Sequence, residues 1–103
     1  MIKTNNIRDL TTIKEGLDAL KLFSDDSLEV IHITLSEGEI IKEHKNNVDV
    51  VFYVLEGKGE LVVEGEKYHI EKGSCLEVKR ELNRSWENVN GLPLCLLAIK
   101  KMK

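Results

Sequence analysis

The sequence predicts an all-β fold, a sandwich or barrel, and three observations lead there. Short runs rich in Val, Ile, Thr and aromatics recur along the chain, with Leu28 to Leu35 and Val48 to Leu55 the strongest. Glycine-containing turns separate them, at Gly38, Gly57-Lys58-Gly59, Gly65, Gly73 and Gly91. No heptad, internal repeat or glycine-rich phosphate loop interrupts this rhythm, and about nine short strands result. The 103 residues suit one domain with one core, and 42% hydrophobic against 32% charged residues is a globular composition rather than a disordered one. One domain is expected over 1–103, with a lead-in over 1–19 and the barrel over about 20–100.

The elements follow in order. Thr12-Ile13-Lys14-Glu15 fits a capping box, so a short N-terminal helical segment is expected, stopped by Gly16. From Leu17 the pattern turns strand-like through Leu20, Leu22 and Phe23, until Ser24-Asp25-Asp26-Ser27 makes a turn. Leu28 to Leu35 alternates as a half-buried strand does. Ile40-Ile41 starts the next strand, Asn46-Asn47 breaks it, and Val48 to Leu55 follows. Leu61 to Val63 and Lys67 to Ile70 form a hairpin around Glu64-Gly65-Glu66, where Gly65 supplies a positive φ at little steric cost. Strands at Cys75 to Val78, Ser85 to Val89 and Leu94 to Lys100 complete the set, with Asn90-Gly91 reading as a two-residue hairpin turn.

Composition narrows function. A net charge of −3 without a basic stripe gives nucleic acid no electrostatic footing. Leu92 to Ile99 is the longest apolar run, contains Pro93, and is far short of the ~20 residues of a membrane helix. Asn5, Asn6, Arg8 and Asp9 interrupt any signal-like core, so a cytoplasmic protein is expected, and no membrane partner. Cys75 and Cys95 lie in apolar strand-like runs and read as buried, reduced thiols.

Two blocks carry a family resemblance. The first runs from Gly38 through His44 to Gly57, the second from Gly73 through Arg84 to Asn88. Their spacing resembles the paired motifs of the cupins, G-x5-H-x-H-x3,4-E-x6-G and G-x5-P-x-G-x2-H-x3-N. The resemblance implies a double-stranded β-helix, the jelly-roll barrel of that family. It implies also that the two histidines and glutamate of the first motif and the histidine of the second would hold a divalent metal. Here those positions are His44, Asn46, Val50 and Arg84. One imidazole and one amide make a poor site. A guanidinium has no acceptor, and a dication ~4 Å from it would be repelled by roughly 8 kcal/mol at an effective dielectric near 20. No metal and no other cofactor is expected. If one bound, His44 would need His32 or Asp49 beside it, Asp49 turned inward by a bulge after Asn47.

Without metal, the barrel interior holds His44, Asn46, Phe52, Arg84 and Trp86, with Asn88 at a strand end. Such an amphipathic set suits a small-molecule pocket, and the Arg84 fork suits an anionic ligand. The competing reading pairs Arg84 with Asp49 or Glu81 and leaves Trp86 and Phe52 as plain core. The catalytic residue of an enzyme is unknown from sequence; in a metal-independent isomerase or epimerase, an activity the resemblance allows, His44 would be the base. A metal-dependent dioxygenase or isomerase ranks behind it for want of ligands. Val51, Tyr53 and Leu55 give the central strand an apolar second face, and the expected partner for it is another subunit, as a homodimer or a dimeric scaffold with no ligand.

Overall fold

Two antiparallel sheets account for every regular element in the computed structural model, which describes residues 2, 4, 6, 12–14 and 17–103. The strands are β1 (Thr12–Lys14), β2 (Leu17–Ser24), β3 (Leu28–Leu35), β4 (Ile40–His44), β5 (Val50–Glu56), β6 (Lys58–Val63), β7 (Glu66–Glu71), β8 (Cys75–Val78), β9 (Arg84–Glu87) and β10 (Leu94–Lys101). Six form a sheet in the order β1-β2-β3-β10-β5-β8, and four form a second in the order β4-β9-β6-β7. After β3 the chain passes repeatedly from one sheet to the other, which is the winding of a double-stranded β-helix.

Period-2 alternation decides what the sheets bury. On β3, Ile31, Ile33 and Leu35 are buried while Val30, His32 and Thr34 face outward, half-buried. On β10, Leu94, Leu96 and Ala98 are buried, and on β5, Val50, Phe52 and Val54. The registers Ala98↔Ile31 and Ala98↔Phe52 place these inward positions side by side. The four-stranded sheet closes the core with Leu61 and Trp86, both almost fully buried.

The β6–β7 hairpin turns at Glu64 and Gly65, with φ of 49° and 83°, and Val63 pairs with Glu66. Two successive left-handed residues make the primed turn that matches strand twist, which is why a glycine stands there. Gly57 has a harder constraint. Its φ is +81°, and a Cβ there would run into the backbone carbonyl of Pro93, so neither conformation nor space admits a side chain.

The chain departs from expectation in three places. Thr12–Lys14 is not the start of a helix but strand β1, paired with β2 through Thr12↔Leu20 and Lys14↔Leu17. Glu15, the other half of the expected capping box, lies outside the described residues, and among those described there is no helix. A backbone that finds a ready sheet edge pairs along it, and this outweighs a local capping signal. Asn90-Gly91 does not join a hairpin, because β9 and β10 belong to different sheets; the segment is a crossing loop. Cys75 is exposed and Cys95 half-buried, both free. Alternation explains this, since Cys75 shares its outward face with Glu77, and Cys95 with Leu97.

Asn88 holds the crossing loop in place. Buried completely, it donates from Nδ2 to the carbonyls of Leu35 (2.9 Å) and Leu92 (2.8 Å), and its Oδ1 accepts from the Asn90 N–H (3.0 Å). Its backbone accepts from Gly38 N–H and donates to the Glu39 carbonyl. The ends of β3 and β9 and the start of β10 are thereby tied at one end of the barrel.

Candidate functional site

At the other end the barrel does not fill. A cavity of about 420 Å³ opens there, and Ala19, Ile31, Ile33, Ile41, Val50, Phe52, Trp86 and Ala98 wall it. Its origin is side-chain size. Ala19 and Ala98 are inward positions on β2 and β10, so two methyl groups occupy places that larger residues fill elsewhere in the core. His44, Lys42 and Glu43 are exposed, and with Asn46 and Lys100 they form the polar mouth.

Phe52 and Trp86 meet edge to face, ring centroids 5.4 Å apart with planes at 68°, the arrangement favoured by the ring quadrupoles. The Trp86 indole N–H is buried and has no hydrogen-bond partner among the described residues, an arrangement that ordinarily costs free energy. His44 pairs in register with Arg84, after a bulge between Ile41 and His44. Its Nδ1 lies 2.8 Å from the Lys42 carbonyl. A carbonyl only accepts, so Nδ1 carries the proton and, in the neutral ring, Nε2 is the acceptor.

Of the five expected pocket residues, His44, Asn46, Phe52 and Trp86 line this cavity and Arg84 does not. Arg84 is fully buried, and two arms of its fork turn to its own neighbourhood: Nε donates to the Leu82 carbonyl (2.8 Å) and Nη2 to the Lys79 carbonyl (2.9 Å), while the buried Nη1 meets no partner among the described residues. Burial pulls its pKa below an ordinary guanidinium. The expected carboxylate partners are elsewhere. Asp49 accepts from the Arg80 backbone N–H (2.8 Å) and Nε (3.3 Å) and lies 3.8 Å from Lys79 Nζ. Glu81, at φ 67°, donates its backbone N–H to the Asn46 carbonyl. Arg84 is thus a clip for the 79–82 turn. Sequence reasoning missed the walls at Ala19, Ile31, Ile33, Ile41 and Ala98 and the cation Lys100; two alanines at inward positions of opposite strands were the signal available.

The residues do not fit a metal. Val50 brings no donor, Arg84 is engaged with carbonyls, and Asn46 adds only an amide to the single imidazole of His44. Neither auxiliary ligand is at hand: Asp49 faces the 79–80 turn, and His32 lies on the outer face between Leu97 and Leu20. Among the described residues no three of His, Cys, Asp or Glu converge.

Two antiparallel sheets wound into a barrel, latched at one end and open to a pocket at the other, define a double-stranded β-helix protein. The chain belongs to the cupins: the family model for a cupin domain matches residues 31–100. An uncharacterized protein of Aquifex aeolicus is 29% identical over 98 residues, covering 91% of this chain and 79% of that one. The polyketide cyclase RemF from Streptomyces resistomycificus superposes with a TM-score of 0.86 at 18% identity, over all of this chain and 81% of its own. A cupin family protein with a double-stranded β-helix fold from Methanocaldococcus jannaschii gives 0.82 at 20% identity, over 98% and 90%. At such identities the structural likeness shows the fold. No helix among the described residues is long and apolar enough to cross a membrane.

Two predictions follow from the turn that Arg84 and Asp49 organise. Arg84→Ala removes the donors to the Leu82 and Lys79 carbonyls and opens a void where the buried side chain stood, and is expected to cost about 2–4 kcal/mol in urea unfolding. Arg84→Lys should recover little of it, because an ammonium does not reproduce the fork. Asp49 has its pKa lowered, first by the Arg80 backbone N–H, then by the Arg80 side chain, with Lys79 adding its charge. Its contribution to stability is therefore present above the unfolded value of ~3.9 and is lost as pH falls through the lower folded value. Urea midpoints of the parent and Asp49→Asn should differ most at neutral pH and converge as acid protonates the carboxylate in the folded state too; a constant gap would show that the carboxylate charge is not what stabilises the turn.

Proposed function

We propose that this cupin binds a small organic molecule in the open end of its barrel, without a metal. The observation that carries the reading is the cavity itself: apolar walls, an unpartnered buried indole N–H, and polar groups gathered at the mouth. Ligand pockets have this build, a largely apolar cleft with few directed polar groups. The RemF likeness supports only the use of such a barrel for organic molecules, since that protein is a polyketide cyclase. A metal-independent isomerase keeps one supporting feature, the free Nε2 of His44 at the mouth. Tyr53, the phenol on the central strand, is on the outer face and 37% exposed, so it supplies no acid to that histidine.

The outer face of the six-stranded sheet supports a second proposal, a homodimer. Val30, His32 and Thr34, Val51, Tyr53 and Leu55, and Cys95, Leu97 and Ile99 point outward from its three central strands. None of these is a Lys, Arg, Asp or Glu, so the patch brings no such like-charge pairs against a copy of itself, as an isologous contact requires. The cytoplasm is the expected location for such a protein.

The pocket and plain-core readings part at Ala98. Ala98→Leu fills the cavity from its wall. It is expected to hold or raise the unfolding midpoint and to abolish the shifts that small-molecule ligands cause in thermal unfolding, where a ligand at 100 times its Kd adds about 2.7 kcal/mol. Ligand shifts that survive the substitution would place binding elsewhere. For the dimer, light scattering should report twice the 11.7 kDa chain mass, reverting toward one on Leu97→Lys; a parent mass of one chain overturns that proposal.

A further inference from the structure

The inward face of β10 reads Leu94, Leu96, Ala98, Lys100. Three core positions are followed by a cation in the same register, and that cation lines the cavity. Lys100 pairs across strands with Glu29 on one side and Val50 on the other, so its stem starts on the core side of both neighbours. Its ammonium is loosely held. Nζ lies 3.9 Å from a Glu29 carboxylate oxygen, and that carboxylate has a nearer partner in Lys21, at 3.5 Å. One carboxylate is shared by two cations, and Lys21 alone suffices to hold it.

We infer that the pocket takes an apolar-bodied organic acid, its carboxylate at Lys100 and its body against Phe52, Trp86 and Ala98. The inference rests on the pocket reading above and deepens it. Donors outnumber acceptors around the cavity: the Trp86 indole N–H, Lys100 and Lys42 face the acceptors of His44 and Glu43, with Asn46 supplying both. In a chain of net charge −3, the cavity lining carries two lysines, Lys42 and Lys100, against one carboxylate, Glu43, with Glu29 shared between Lys100 and Lys21. Apolar walls exclude a small hydrated anion such as phosphate from the interior, because nothing inside would replace its water. A carboxylate carried on an apolar body leaves its charge at the half-wet mouth and buries only carbon. On binding, the acid takes Lys100 from Glu29 while Lys21 keeps the displaced carboxylate paired.

Trp86 is the only tryptophan of the chain, so one indole N–H signal in a nitrogen–proton correlation spectrum reads cavity occupancy directly. The probes are trans-cinnamate, its uncharged isostere cinnamamide, and inorganic phosphate. The expected result is that cinnamate shifts the indole signal and binds at least about tenfold more tightly than cinnamamide. Lys100→Met should erase that preference, and Lys100→Arg should keep it. Equal binding of acid and amide, or indifference to Lys100→Met with the variant folded, overturns the acid inference and leaves the pocket standing. An indole signal silent to both organic probes overturns the pocket reading as well. Phosphate that moves the Lys100 amide as strongly as cinnamate does, with the indole unmoved, shows a surface anion contact and also overturns the inference.

Discussion

Everything in this barrel depends on the Asn88 latch. The hydrogen-bond ladders run within each sheet, so they do not fix one sheet against the other. At the closed end they are tied by a buried amide that donates to two carbonyls and accepts a third bond. An amide can do this because it offers two donors and an acceptor in one plane; an apolar side chain would leave the Leu35 carbonyl buried without that partner and would free the Leu92 carbonyl. Close packing at the same end adds to the constraint, with Gly57 against the Pro93 carbonyl and Gly59 against Leu94. This end of the barrel is therefore closed by specific contacts and close packing, and the unfilled space lies at the other.

Arg84 shows how a barrel position changes role without disturbing the fold. It sits across from His44 in the four-stranded sheet, where a metal-binding relative would carry a ligand. Its cation is not neutralised by a carboxylate but dispersed over two carbonyl dipoles of the turn beneath it. Hydrogen bonds to a charged group are stronger than neutral ones, which offsets part of the cost of burial. The consequence reaches the pocket: with the guanidinium folded away, the charges facing a ligand are those of the mouth, Lys42, Glu43 and Lys100.

Strand positions were legible in the sequence because they follow from alternation, a property of the strand itself. Leu28–Leu35 needed no tertiary knowledge, and neither did the Glu64-Gly65 turn. Signals that depend on a competing partner misled. Thr12 and Asn90-Gly91 carry valid local preferences, but a sheet edge claimed the first and a sheet crossing the second. The site was legible as a face, since His44, Asn46, Phe52 and Trp86 do share one space. The direction of the Arg84 fork was not, because so long and flexible a side chain reaches either the cavity or the turn from the same backbone position. Nor was the cavity itself, which is defined by what Ala19 and Ala98 leave unfilled.

That unfilled volume sets its own condition. A sealed, dry void of the same 420 Å³ would cost about 10 kcal/mol at ~24 cal/mol per Å³, comparable with the whole stability of a domain this size. A folded chain does not carry such a penalty, so the space has to communicate with solvent, and the exposed residues Lys42, Glu43 and His44 at its rim show where it does. Water in contact with Ile31, Ile33 and Phe52 is then the reference state against which a ligand competes. Each apolar Å² withdrawn from that water contributes about 25 cal/mol, so affinity grows with the carbon a ligand brings inside. For a ligand of the proposed kind, the charge would stay where the wall ends, near Lys100, whose Glu29 partner also pairs with Lys21.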